Sequence, residues 1–299
     1  MFLQQLINGL TLGAMYALIA LGYTMVYGVL LMINFAHSEI FMVGAFLGCF
    51  FLGLPLLQSS SPLLSLMLAI FIAMGVTAIL ALIVERVAYR PLRRSTRLTP
   101  LISAIGVSLI LQNGIFLFVS NQSVPFKLPF VLQHYSFMGV EVTSLQCLIL
   151  GVAIVLMVAL HYFVTYTRLG TAIRATAQDA STASLMGIPV NNIIALTFLI
   201  GGALGGVAGA LNGMYYGSIK YNMGFVPGMK AFTAAVLGGI GNVPGAMVGG
   251  FLLGVLEAMA AGFIPDGSSW KDVIAFSILL LVLLFRPEGL FGRHVPEKV

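Results

Sequence analysis

Ionisable side chains are scarce in this sequence, and two of them, His37 and Glu39, stand almost together where one apolar run ends and another resumes. No Lys or Arg precedes them to mark an ordinary loop. A His and a carboxylate at membrane depth point to a pathway lining or a proton relay. The competing reading, which the sequence favours because the turn falls where a bilayer would end, is an interfacial turn in which Asn34 or Ser38 caps the next helix. Lys230 and Glu257 are the other charges that fall among apolar residues.

Other chemistries lack their residues. No Lys follows a Gly anywhere in the chain, so the phosphate loop GxxxxGK[ST] is absent. The sequence therefore carries no ATPase site of that type and is expected to be no enzyme. An HExxH pair and a GxSxG elbow are missing too, and His37, His134, His161 and His294 are scattered. No cofactor or metal is expected. A proton-driven carrier would call for a relay of buried carboxylates, and Glu39 and Glu257 are few for that task.

The elements that must position these groups follow from composition. The chain has 299 residues, 60% hydrophobic and 8% charged, with a mean hydropathy of +1.06. Soluble domains carry about 25% charged residues, so this chain cannot coat a globule in water. Apolar runs near the 20 residues needed to cross a bilayer occur at 6–31, 40–57, 63–84, 101–119, 145–164, 191–214, 244–263 and 273–285. The expected fold is all-α, a single polytopic transmembrane helical bundle over 1–299 with eight clear spans plus one broken or half helix at 225–240. The first run exceeds a signal-peptide core in length and is read as a mature span. Cys49 and Cys147 lie in apolar segments and are expected to be buried thiols rather than a disulfide.

The net charge of +5 does not imply nucleic acid, because the basic residues sit in short clusters between apolar runs. Five Arg lie at 86–97, Arg168 and Arg174 in the loop 165–190, and Arg286, Arg293 and Lys298 in the tail. Cytoplasmic loops are enriched in such residues, so these three segments are placed inside, and the loops with Lys127, Lys220 and Lys271 outside. Consistency then requires 225–240 to cross, and the N-terminus to lie outside.

That weak crossing contains Pro227, Gly228 and Lys230. It reads either as a half-helix with a glycine turn, of the kind that borders translocation routes, or as an ordinary helix ending in a Gly-rich turn. Asn34, His37, Glu39, Lys230, Thr233, Gly238 and Gly239 are the candidate pathway residues. Gly201, Gly205 and Gly209 recur every four residues, a small-residue face read as helix packing rather than ligand contact. The loop 165–190 has helix-compatible, Ala-rich residues from 171 to 186 and stops at Gly187 and Pro189. It is either a docking helix for another protein or a helical connection.

Several stretches resemble one family. Arg174-Ala-Thr-Ala-Gln-Asp179 with Ala183 and Gly187 is similar to the coupling-helix region of permeases from ABC importers of branched-chain amino acids. Leu6 to Gly22, Ile33 to Glu39, Ala235 to Ala246 and Phe285 to Gly292 resemble other signatures of that family. Ser38 departs from it, where Gly is expected. The resemblance implies a permease subunit in the bacterial inner membrane that moves Leu, Ile or Val by alternating access. It implies a homologous second permease, two ATP-binding subunits and a periplasmic or lipid-anchored substrate-binding protein as partners, in a lipid environment. It implies that Arg174, Ala175, Asp179, Ala180, Ala183 and Gly187 couple to the ATPase. Permeases of the same superfamily for urea, amides or other amino acids are the near alternative, and a stand-alone channel or secondary carrier the distant one.

Overall fold

The computed structural model describes residues 1–292 except 59, 60, 94, 97 and 138. Arg94, Arg97, Arg293 and Lys298 of the basic clusters lie outside the described residues. Among the described residues the chain is all-α apart from two small two-stranded pairings. Its helices are α1 (Phe2–Leu30), α2 (Ala36–Leu52), the single turn α3 (Pro55–Gln58), α4 (Pro62–Val84), α5 (Leu98–Phe118), α6 (Ser144–Tyr166), α7 (Arg168–Gln178), α8 (Ala180–Leu185), α9 (Val190–Tyr216), α10 (Phe225–Gly238), α11 (Val243–Phe263) and α12 (Gly267–Phe285). Strand β1 (Val124–Pro125) pairs with β4 (Ser218–Ile219), and β2 (His134–Phe137) with β3 (Val140–Thr143), both antiparallel. The nine apolar segments of the sequence correspond to α1, α2, α4, α5, α6, α9, α10, α11 and α12.

Helix α1 is the axis of the bundle. It packs on α9, α10 and α11, and nearly all of its apolar window is buried, whereas few residues of α5 are fully buried. Backbone-to-backbone approach explains the glycine content. A Cβ at Gly9 or Gly13 would run into α11 at Val255 or Phe251, one at Gly209 into the Phe41 carbonyl of α2, and one at Gly202 or Gly206 into Thr77 of α4. Gly201 faces Gly22, and Gly205 faces the His37 ring. In lipid, where apolar surface gains nothing by leaving the solvent, such close packing supplies much of the association.

The helix boundaries follow local chemistry. Pro62 opens α4 at its first position, where no N–H is needed. Thr143 and Gln146 form a reciprocal capping box on α6, at 3.2 and 2.9 Å. Asn242 Oδ1 accepts from Gly245 N at 3.1 Å to cap α11. Pro227, expected to break a helix, is instead the third residue of α10, inside the first turn whose N–H groups lack intrahelical partners. The helix runs unbroken to Gly238 and ends on Gly239 at φ 102° and Gly241 at φ 92°, conformations that favour glycine. At 14 residues it spans about 21 Å, short of the hydrocarbon thickness. Cys147 is exposed on α6, and Cys49 is half-buried, so the expectation of two buried thiols fails for Cys147; its position on an apolar helix lets it face outward at no cost.

The two ends of the bundle gather different loops. At one end Gln4 exchanges hydrogen bonds with Glu141, at 2.9 and 2.8 Å, and Val124 pairs with Ile219. At the other, Arg93 Nη1 donates to Asn191 Oδ1 at 2.8 Å, and Arg174 donates to the Val164 and Thr165 carbonyls. The tail folds back there too, with Leu290 N donating to Leu237 O at 2.8 Å and Asn242 Nδ2 to Phe291 O at 2.8 Å. Arg93 and Arg174 thus lie at the end opposite the N-terminus.

Candidate functional site

Helix α2 begins inside the bundle. His37 and Glu39 are each 1% exposed, and the His37 ring fills the notch left by Gly22 and Gly205, with Tyr23 edge-on at 4.8 Å between centroids. The side-chain cap expected at this turn is not formed. The favoured reading is therefore corrected: the cap residue is Phe35, no side chain caps the helix, Ser38 Oγ donates to Phe35 O at 2.7 Å, and Asn34 Oδ1 accepts from Tyr89 Oη at 2.8 Å. The reason is that α1 ends at Leu30 in a left-handed Leu31, so the chain turns back into the bundle before α2 starts.

The beginning of α10 meets the beginning of α2. A Cβ at Gly224 would touch the Ser38 carbonyl and Glu39 Oε2, and one at Gly228 would strike Ser38. The two helices thus start side by side, with Gly224 and Gly228 against Ser38 while Phe225 stays exposed. Against them lies a cavity of about 390 Å³, lined by Tyr23, Phe35, Ser38, Glu39, Ile105, Ser108, Leu109, Gln112, Phe225 and Met229. Glu39 Oε1 accepts a long 3.4 Å hydrogen bond from Ser108 Oγ; Oε2 has no hydrogen-bond partner among the described residues.

The structure does not unite the candidate pathway residues in one cavity. Glu39 lines this one; Lys230 does not. Lys230 is 5% exposed and binds Glu257 Oε1 at 2.9 Å and Asp272 Oδ1 at 2.7 Å, while Tyr16 Oη donates to Glu257 Oε2 at 2.9 Å. This cluster ties α1, α10, α11 and α12 together. Thr233 is fully buried and donates to Met229 O at 2.9 Å. Gly238 and Gly239 lie at the far end of α10, packed on Gly245 and the tail segment at Glu288 to Gly292. Sequence reasoning passed over Tyr16, Asp272 and Glu85 because aromatic or loop-edge residues carry no periodic signal. Glu85, at the end of α4, is nevertheless 1% exposed and paired with Arg93.

The loop 165–190 is two helices rather than one. Thr167 Oγ1 caps α7, accepting from Gly170 N at 3.0 Å, and α7 stops at Gln178 because Asp179 turns extended to cap α8. Its Oδ1 accepts from Ser181 N and Thr182 N at 2.9 and 3.1 Å. The Ser181 and Thr182 hydroxyls hold the Asp179 carboxyl well below the usual carboxylate range. Gly187 closes the loop at φ 83°. Ala183 is buried against the body, Ala175 is half-buried and Ala180 is exposed, while Leu185 and Met186 stand out at 87% and 79% exposure. The exposed apolar surface is thus that pair more than the alanines, and its signal, a Leu-Met step after a capped turn, was present in the sequence.

Comparison with known proteins fits this architecture. The family model described as branched-chain amino acid transport system / permease component matches residues 5–283. The chain belongs to that family. This permease is 51% identical to the high-affinity branched-chain amino acid transport system permease protein BraD of Pseudomonas aeruginosa, over 100% of this chain and 98% of that protein. It is 46% identical, with the same coverage, to the high-affinity branched-chain amino acid transport system permease protein LivH of Escherichia coli K12. A solved structure, PsaBC from Streptococcus pneumoniae in complex with Fab, shares the fold at a TM-score of 0.50 and 14% identity, covering 97% of this chain and 93% of that one. The permease is a multi-pass membrane protein.

Proposed function

We propose that this permease translocates leucine, isoleucine and valine across the bacterial inner membrane as the transmembrane subunit of an ABC importer. The observation that carries the reading is its full-length relationship to two branched-chain amino acid permeases. Because the sequence holds no phosphate loop, ATP is hydrolysed by two separate subunits. These dock on α7 and α8, which sit at the basic end and present Leu185 and Met186. A second homologous permease completes the membrane unit, and a binding protein delivers cargo to the opposite end. The loop 165–190 is the coupling element within a single permease domain. Its movement reaches the bundle through Arg174, which grips the end of α6, and drives alternating access.

The test is leucine uptake by the reconstituted importer. Uptake should require ATP inside the transport cycle and survive collapse of the membrane potential. Uptake that follows a proton gradient and ignores ATP would overturn the assignment.

A further inference from the structure

We infer that the cavity between α2, α5 and α10 is a transient cargo site in which the Glu39 carboxylate receives a primary ammonium group. This rests on the transport reading above and names the contact that recognises the cargo.

The first argument is the unanswered carboxylate. Glu39 is 1% exposed, lines the cavity, makes no ion pair among the described residues, and has one oxygen without any hydrogen-bond partner. Buried carboxylates are ordinarily paired or fully hydrogen-bonded. Burial disfavours a lone charge at this point, and part of that cost is offset because Glu39 lies in the first turn of α2 and its Oε2 also faces Gly224 at the start of α10, where helix dipoles are positive; an arriving cation offsets the rest. An anion held in place without a cation is complementary to one that arrives and leaves. The second argument is the rest of the wall. Ser38, Ser108, Gln112 and Tyr23 supply polar groups, and Phe35, Ile105, Leu109, Phe225 and Met229 an apolar face. A few polar groups converging in an apolar cavity of about 390 Å³ fit a small ligand with one charged end and an aliphatic body.

Both an amino acid and the headgroup of phosphatidylethanolamine carry a primary ammonium. The assay therefore uses the whole importer in phosphatidylcholine vesicles, which lack one. In a background with Cys49→Ser and Cys147→Ser, Met229→Cys reports access of a water-soluble thiol reagent to the cavity. Leucine and 3-methylbutylamine should slow labelling, and 4-methylpentanoate, which lacks the ammonium, should not. Glu39→Gln should weaken the protection by at least about tenfold, the scale of one charge-assisted hydrogen bond. Equal protection by the amine and the acid would overturn the proposal without touching Glu39, as would protection indifferent to Glu39→Gln. Protection by added phosphatidylethanolamine and none by soluble amines would assign the site to lipid and overturn it as a cargo site. Loss of ATP-driven leucine uptake in the unsubstituted importer would strike the transport reading instead.

Discussion

Lys230 Nζ lies 2.9 Å from Glu257 Oε1 in the interior of the bundle, joining α10 to α11. Both side chains are almost fully buried, so removing one strands the other in a low-dielectric interior, at a cost of about 3–5 kcal/mol. Lys230→Met should lower the melting temperature in detergent sharply. The double variant Lys230→Met with Glu257→Gln should recover most of the loss, since the Gln still accepts from Tyr16 and Asp272 is over half exposed to solvent. A double variant as unstable as the sum of the singles would refute the pair as the source of the effect.

The glycines divide into two classes with opposite expected signs. At Gly209 and Gly250 a Cβ would enter the backbone of Phe41 and Ala17, and at Gly106 and Gly151 it would meet open space. Alanine at the first pair should destabilise by about 1–3 kcal/mol through overpacking. At the second pair it should stabilise by up to about 1 kcal/mol through helix propensity. Thermal unfolding of the four single variants checks this, and uniform behaviour across them would contradict the seam.

Much of this arrangement was legible in the sequence because it is periodic. Gly201, Gly205 and Gly209 announce a packing face by spacing alone, and clustered Arg residues sort the loops to two ends. What escaped is set by distance. Hydropathy could place Lys230 and Glu257 in the membrane but could not pair them across 27 residues of chain. Nor could it show that α2 starts inside the bundle, since the return of the chain after Leu31 depends on a backbone turn that apolar composition does not encode. The helix break at Asp179 was readable in principle: an Asp followed by Ser181 and Thr182 is a capping sequence, hidden by a run of alanines that suits a continuous helix.

Asp179 should act as a cap that does not titrate in the physiological range. Its folded pKa lies below the usual value, so the cap's stabilisation is complete above the unfolded value of about 3.9 and lost only as pH falls through the lower folded pKa. Between about pH 5 and 8, exchange protection of the Ser181 and Thr182 amides, corrected for intrinsic rates, should therefore stay constant. Asp179→Ala should abolish it, and Asp179→Asn should retain part of it. A protection step near neutral pH would show that another group controls α8.

The exposed pair Leu185 and Met186 sets the final prediction. Two large apolar side chains at 87% and 79% exposure, on the loop that carries Arg168 and Arg174, offer an apolar anchor that the proposed ATPase contact would bury. Leu185→Asp and Met186→Asp should leave the permease folded and in the membrane, because neither side chain packs on the body, but should lower copurification of the ATPase subunits at least about tenfold, as loss of an apolar anchor does. Ala183→Asp should fail differently. Ala183 is buried, and its amide and carbonyl bond Asp179 and Ile188, so a charge there should unravel α8 and reduce thermal stability along with binding. The two failures separate on one measurement each: melting temperature unchanged for the Leu185 and Met186 variants, lowered for Ala183. If the ATPases copurify normally with Leu185→Asp and Met186→Asp together, α8 is a connection and the motor docks elsewhere.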